Sequence, residues 1–295
     1  MASLRQKLVA KAFQILNRKG MLNGLSDERY IRLRWRLVLG GQPDLNTPKT
    51  FNEKMQWLKL HDRRAECTRL VDKYEVKAYV AEKLGMQYVV PCLGVWDRFE
   101  DIDFGALPER FVLKCTHDSG GLVICRDKAA LDREKARKKL TAALSQNFYY
   151  RGREWQYKDV PPRILAEEYL ENDSTRGLYD YKVWCFGGEP RYVQYIAGRL
   201  DGATEAFYDP HWVRQGFTFH NPPMKEEAER PARLEELLAC CRTLAQGHPF
   251  VRVDFYILPD GTLRFGELTF CPMTGFERFH PPETDRMLGD MIPLP

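Results

Sequence analysis

VRVDFYILPDGTLRFGELTF, residues 251–270, reads as two β-strands joined at Asp260-Gly261. Val, Phe, Tyr, Leu and Thr favour strand on both sides, and Asp-Gly is a residue pair of the type I′ hairpin turn. With those two residues as the loop, Pro259 faces Thr262, which predicts Asp254 opposite Glu267 and Arg252 opposite Thr269. Directly opposed residues share one sheet face, with Cβ atoms about 4.5–5.5 Å apart. Two carboxylates that close repel each other unless a positive charge lies between them. Mg2+ suits that position, because it takes carboxylate oxygens and keeps room for phosphate. The plain alternative is a surface hairpin with a polar outer side. Phe255, Leu263, Phe265 and Leu268 put apolar side chains on both faces, so the hairpin should be covered. A covered face carrying Arg252, Asp254, Glu267 and Thr269 reads as a site.

Outward from the hairpin, residues 231–246 form a helix, and YDYKVWCF (179–186) and PRYVQYIAG (190–198) form strands joined through Gly187-Gly188-Glu189. RILAEEYLE (163–171) is a strand leaving Pro161-Pro162, and 129–145 is a Lys/Arg-rich helix. ERFVLKCTHDSGGLVICRD (109–127) is a hairpin turning at His117–Gly121, and 87–95 is a strand broken at Pro91. One helix is expected over Thr68–Leu84 and another over 47–60, where Thr50 and Glu53 have capping-box spacing. Helices first, then alternation, then strands predict an α+β fold with two sheets and a cleft between them.

With 44% apolar and 29% charged residues in 295, the chain suits a globular protein with more than one core, and its Phe, Tyr and Trp content excludes general disorder. A net charge of +4 is too mild to argue for nucleic acid, and no nucleic-acid-binding motif occurs. No apolar run approaches the ~20 residues of a membrane span. Arg5, Lys7, Lys11 and Gln14 interrupt any signal-like apolar stretch, so a cytoplasmic protein is expected. Eight cysteines without CxxC fit buried reduced thiols, and scattered histidines make a nitrogen or sulfur metal centre unexpected. Leu4, Leu8, Ala12 and Leu16 beside Arg5, Lys7, Lys11, Arg18 and Lys19 give a basic amphipathic helix. It either docks on the domain or touches an anionic membrane surface at the inner face.

Lys114 alternates with Phe111, Leu113 and Cys115, and therefore points to the opposite side of its strand. Ser119, Gly120 and Gly121 follow, able to turn N–H groups toward an anion, although a plain tight turn explains the glycines equally well. Glu167 and Glu168 stand in an otherwise apolar strand, where they either meet a ligand such as adenine or protect a sheet edge. Asp180 and Lys182 share a face by period two, as ribose and phosphate contacts or as a salt bridge.

In this order, these features resemble the ATP-grasp superfamily, which ends in an Arg, a metal-binding Asp and a Glu-x-Asn pair. Thr269 stands where Asn is usual. FNEKMQWLKL, LVDKY, FVLKCTHDSGG, REW, CFGGEP, PFVRVDFY and GELTF resemble its TupA-like branch, associated with teichuronopeptide and other cell-surface polysaccharide assembly, and the resemblance runs from about residue 47 to about residue 291. The resemblance implies an ATP-grasp fold: two α+β subdomains clasping ATP between two sheets, after a helical segment. It divides the chain into 1–68, a central subdomain 69–166 with the glycine hairpin, and 167–295 with the carboxylate hairpin. It places Lys73 and Lys114 on phosphates and Ser119 and Gly120 in the covering loop. Glu167, Glu168 and Leu170 would frame adenine, with Asp180 on ribose. Lys182 and Arg252 would steady transferring charge, and Asp254 and Glu267, with Thr269, would hold Mg2+.

The activity so implied is ATP-dependent amide ligation through an acyl phosphate, joining a glycan or peptide carboxylate to an amine or amino acid. The alternatives are a kinase placing a hydroxyl in line with the γ-phosphate, and a non-catalytic nucleotide-binding scaffold. The N-terminal part is shorter than in the larger ligases. Arg151, Arg153 and Trp155, in YYRGREWQYK, are candidates for an anionic substrate or for a structural loop.

Overall fold

The computed structural model describes residues 4–170, 179–198 and 202–295. Its first part is helical: α1 (Leu4–Arg18), α2 (Asp27–Val38) and α3 (Phe51–His61). Ser26 caps α2 by accepting the Arg29 N–H, with Asp27 and Glu28 facing the positive end of the helix dipole. At α3 both halves of the expected Thr50/Glu53 capping box form. The single helix expected over Thr68–Leu84 is two, α4 (Glu66–Val71) and α5 (Glu75–Leu84). Asp72 Oδ1 accepts the N–H groups of Tyr74 and Glu75 at 2.8 and 3.3 Å, which ends one helix and starts the next. Lys73 sits at that joint.

The first sheet is built from β1 (Cys92–Trp96), β2 (Phe111–Cys115), β3 (Leu122–Cys125) and, after α6 (Arg133–Leu144) and α7 (Tyr149–Gly152), β4 (Ile164–Glu168). Its order is β1-β4-β2-β3, every pairing antiparallel. Phe111, Leu113, Cys115, Ile164 and Ala166 bury one face against Ala136 and Leu140 of α6. Alternation sends Lys114 and Glu167 to the other face. Because β4 passes through residues 166 and 167, this sheet extends to Glu168.

The second sheet contains β5 (Asp180–Phe186), β6 (Glu189–Ala197), β7 (Thr204–Tyr208) and, after α8 (Leu234–Ala245), β8 (Phe250–Ile257) and β9 (Leu263–Thr269), in the order β7-β6-β5-β8-β9. Strand β7 is absent from the expected elements. One face packs Val183, Cys185, Val251, Val253, Phe255 and Leu268 against Leu237, Leu238, Cys241 and Leu244 of α8. The opposite face has two halves. At one end Trp184 meets Phe51, Phe250 and Phe219 with ring centroids 5.3, 5.6 and 5.2 Å apart. Each such pair is worth about 0.5–1.5 kcal/mol beyond its buried area. This aromatic block locks α3 onto the sheet, and α9 (Thr284–Asp290) packs beside it. The other end carries Asp180, Lys182, Arg252 and Asp254.

The decisive hairpin reaches its expected pairing by an unexpected route. Leu258 N–H bonds to Thr262 O at 2.9 Å, so Pro259, Asp260 and Gly261 form a three-residue loop, with Gly261 at φ +81°. Pairing then runs Ile257–Leu263, Tyr256–Arg264 and Phe255–Phe265, one residue out of the expected register. Gly266 is an extra residue on β9, and beyond it Asp254 faces Glu267 and Arg252 faces Thr269. A Cβ on Gly266 would lie 3.2 Å from Asp254 O, which explains glycine at the bulge. The two departures cancel. Without the bulge, Glu267 and Thr269 would project to the α8 side.

Among the described residues, no helix is long and apolar enough to cross a membrane.

Candidate active site

On the second sheet, β5 and β8 place Lys182 beside Asp254, and β8 and β9 place Asp254 beside Glu267. Arg252 lies across them. Its Nε donates to Asp254 Oδ1 at 2.7 Å, and Lys182 Nζ donates to Asp254 Oδ2. Arg252 Nη2 is 2.8 Å from Asp254 Oδ2, 2.9 Å from Glu267 Oε1 and 3.0 Å from Thr269 Oγ1. Three oxygens from two strands thus converge on one cationic nitrogen. The positive charge that the carboxylate pair requires is, in this structure, the guanidinium. Burial pushes the Glu267 carboxyl up, but Arg252, Lys182 and Lys73 outweigh it and hold its pKa at about 2. Burial likewise opposes the charge on Arg252, yet Asp254 and Glu267 raise its pKa. Asp180 Oδ1 stands 3.9 Å from Lys182 Nζ.

The donor set fits a hard divalent cation. It consists only of oxygens, its two carboxylates match the charge of Mg2+, and the oxygens already surround a positive centre. Arg252 and a metal would compete for the same lone pairs. Thr269 brings one neutral hydroxyl, which now donates to Glu267 Oε1 at 3.0 Å.

From the first sheet, Lys114 Nζ lies 2.5 Å from Glu167 Oε2, and Lys77 Nζ 2.5 Å from Glu167 Oε1. Glu167 therefore clamps two lysines. Burial lowers the pKa of Lys114, but Glu167, Tyr256 and Glu267 more than restore it. Tyr256 and Glu267 belong to the second sheet, so Lys114 is coupled across the cleft. Lys73 Nζ donates to Asp118 O and its backbone N–H to Thr116 O at 3.1 Å, fastening the α4–α5 joint to the glycine hairpin. Lys73 also acts on Glu267. Four lysines and Arg252 consequently face one cleft, a field suited to a polyphosphate.

Residues 53–293 match the family model described as TupA-like ATPgrasp. The chain belongs to the TupA-like ATP-grasp family. Among curated proteins, none matches it. Solved structures similar to it include D-cycloserine synthetase DcsG, at 15% identity over 69% of this chain and 63% of that one (TM-score 0.39). D-alanine–D-alanine ligase from Bacillus anthracis complexed with ATP shows 19% identity over 68% of this chain and 55% of that one (TM-score 0.39). The ATP-grasp ligase PsnB, complexed with a phosphomimetic variant of its minimal precursor, Mg and ADP, shows 12% identity over 82% and 65% (TM-score 0.44). The chain spans less than two thirds of the length of each.

In this TupA-like ATP-grasp protein the remaining sequence candidates are dispersed. Ser119 and Gly120 form the exposed tip of the glycine hairpin, Gly120 at φ +125°. The Gly121 N–H is already bound by the Asp118 carboxylate at 3.0 Å. Glu168 is exposed and Leu170 half-buried. Arg153 is 1% exposed and left-handed at φ 59°; it donates to Leu22 O at 2.7 Å and lies over the Tyr30 ring at 4.7 Å. It thus ties the N-terminal helices to α7. Arg151 is exposed, and its carbonyl accepts from Tyr30 and Arg34. Trp155 borders a cavity of about 30 Å3 with Lys59, Cys67, Gln156 and Cys271.

Sequence reasoning missed Lys77, Lys59 and Glu154. Lys77 looks like any helix-surface lysine until β4 is placed. Lys59 is 2% exposed and donates to Gly152 O and Thr274 O at 2.8 and 2.9 Å. Elsewhere Glu66, Cys67 and His248 come within metal-ligand range of each other. Arg64 Nη2, however, lies 3.1 Å from His248 Nδ1, and burial together with Arg64 pushes that imidazole to about 4.

Proposed function

We propose that this protein is an ATP-dependent carboxylate–amine ligase working through an acyl phosphate. The observation that carries this reading is the convergence of Asp254, Glu267 and Thr269 oxygens on a single cationic point, across the cleft from Lys114. The substrate carboxylate attacks the γ-phosphorus of ATP, and the bond to ADP breaks. The amine nitrogen then forms the amide bond as phosphate leaves. Lys73, Lys114 and Lys182 hold the phosphates by charge, with Ser119 and Gly120 over them. Glu168, Leu170 and Asp180 lie along the path for adenine and ribose, while Glu167 keeps Lys114 in place. Asp254, Glu267 and Thr269 would hold Mg2+, which when bound neutralises phosphate charge. Arg252 steadies the transferring phosphoryl group. The segment from residue 69 through Glu168, which carries the first sheet, and the segment after it, which carries the second, serve as the two jaws.

The carboxylate is best sought among glycan and peptide acids, and the amine among amino acids, in keeping with a role in cell-surface polymer assembly on the cytoplasmic side. The test is ADP release from the full chain with ATP, Mg2+ and paired carboxylates and amines, products read by mass. A product equal to acid plus amine less water is expected. A phosphorylated hydroxyl compound would instead make it a kinase, and no turnover with intact ATP binding would make it a scaffold.

A further inference from the structure

Glu154, in the turn after α7, is a buried carboxylate that Lys59 and Arg34 influence through charge but do not contact directly. It is 3% exposed, and while its backbone carbonyl accepts the Tyr157 N–H at 3.1 Å, its carboxylate makes no hydrogen bond or ion pair among the described residues. The cations around it are engaged elsewhere. Lys59 Nζ binds two backbone carbonyls and lies 4.7 Å from the Phe276 ring centroid. Arg34 binds Arg151 O and lies 4.4 Å from the same centroid. Leaving a buried carboxylate unpaired is costly, so such a group either stays protonated or awaits a cation.

The surroundings are incomplete in the same way. Thr274 Oγ1 and Gln156 Nε2 are buried without hydrogen-bond partners. A Cβ built on Gly152 would lie 2.6 Å from Thr274 Cγ2 and 3.2 Å from Glu154 Oε1, so these two side chains come together against Gly152, where nothing larger than glycine fits. The place in the fold is telling as well. Thr274 belongs to the turn Pro272–Gly275 that directly follows β9, with Met273 and Thr274 at φ 49° and 58°. Arg252 and Glu267 of the cleft act electrostatically on Glu154.

Resting on the ligase reading above, we propose that Glu154, with Thr274, is the subsite for the cationic amine substrate. Its carboxylate receives the ammonium and takes one of its protons. The freed lone pair forms the C–N bond to the acyl phosphate, the C–O bond to phosphorus breaks with its electrons leaving on phosphate, and phosphate takes the second proton. Burial raises the Glu154 pKa more than Lys59 and Arg34 lower it, which suits a group that gains a proton near neutrality.

The probes are methylammonium chloride and tetramethylammonium chloride, of equal charge but with and without N–H, added to the full chain with Mg·ADP. Methylammonium should raise the thermal midpoint of the wild type and tetramethylammonium should not. Glu154→Gln should lose the methylammonium shift, or require about tenfold more of it, the size of one charged hydrogen bond. Its Mg·ADP affinity by calorimetry should be unchanged. Equal response to both ammonium ions, or an unaltered response in Glu154→Gln, would overturn the subsite. The wild-type contrast stands even if the variant misfolds. Absent Mg·ADP binding with that contrast intact would overturn the ligase reading and not the subsite.

Discussion

Two acidic regions of this protein are wired in opposite senses. Asp254 and Glu267 lie under Arg252 and Lys182, and the cationic cleft pulls Glu267 down to about 2. Glu154 is withdrawn further from water than Glu267, its carboxylate makes no hydrogen bond or ion pair, and burial pushes its pKa up. The same functional group thus becomes a permanent anion in one place and a proton acceptor in the other. Backbone geometry decides which. The Gly266 bulge turns Glu267 toward the cations, whereas the Gly152 turn sets Glu154 beside Thr274 with no cation in contact.

Deleting Gly266 should break the contrast most severely. It shifts β9 by one residue, sends Glu267 and Thr269 to the α8 face, and should abolish Mg2+-dependent nucleotide binding by calorimetry. Retained binding would show that the bulge does not aim the ligands.

Asp254→Asn comes next. It should lower turnover by at least about a hundredfold. It also removes the counter-charge that Arg252 and Lys182 share, leaving only Glu267 and Asp180 to offset them, which should lower stability in chemical denaturation by up to about 3 kcal/mol. A stable, active variant would contradict both the metal and the ion-pair roles.

Lys114→Ala should weaken ATP binding and slow the chemistry together, because its charge serves ground and transition states alike. Glu167 keeps Lys77, so the fold should survive. Unchanged ATP affinity would reduce Lys114 to a structural partner of Glu167.

The pH dependence of stability sharpens the comparison. A carboxyl whose folded pKa is raised binds a proton more tightly when folded, so its contribution is full at low pH and fades as pH rises from the usual carboxylate range toward neutrality. Glu154 should produce such a decline, and Glu154→Gln should flatten it. Glu267, with its lowered pKa, stabilises above the usual range and loses that effect only as pH falls toward about 2. Denaturation curves at several pH values check both signs. The smallest effect belongs to Thr269→Asn, whose longer carboxamide should shift the Mg2+ concentration for half-maximal rate without disturbing the fold.

Local signals made much of this legible in sequence: the Thr50 capping box, every strand of the two sheets but β7, and the opposition of Asp254 and Glu267. What escaped depends on tertiary neighbours. Asp72 breaks a helix because its side chain caps the next one and pairs with Arg163 from beyond Pro162. The hairpin register came out right because a longer loop and a bulge offset one another, and neither announces itself beyond two glycines. Arg153 reads equally as a substrate contact or as part of a structural loop, and three tyrosine rings enclose it. Glu154 lies within the REW stretch that resembles the family, yet nothing local marks its role, since an uncontacted buried acid is defined by what does not surround it.

The most direct test of acyl-phosphate ligation follows one oxygen. With the acid substrate labelled with oxygen-18 in its carboxylate, each amide formed should deliver one labelled oxygen to inorganic phosphate, read by mass spectrometry. Amide formation with unlabelled phosphate, or label retained entirely in the acid while ATP is consumed, would contradict the mechanism.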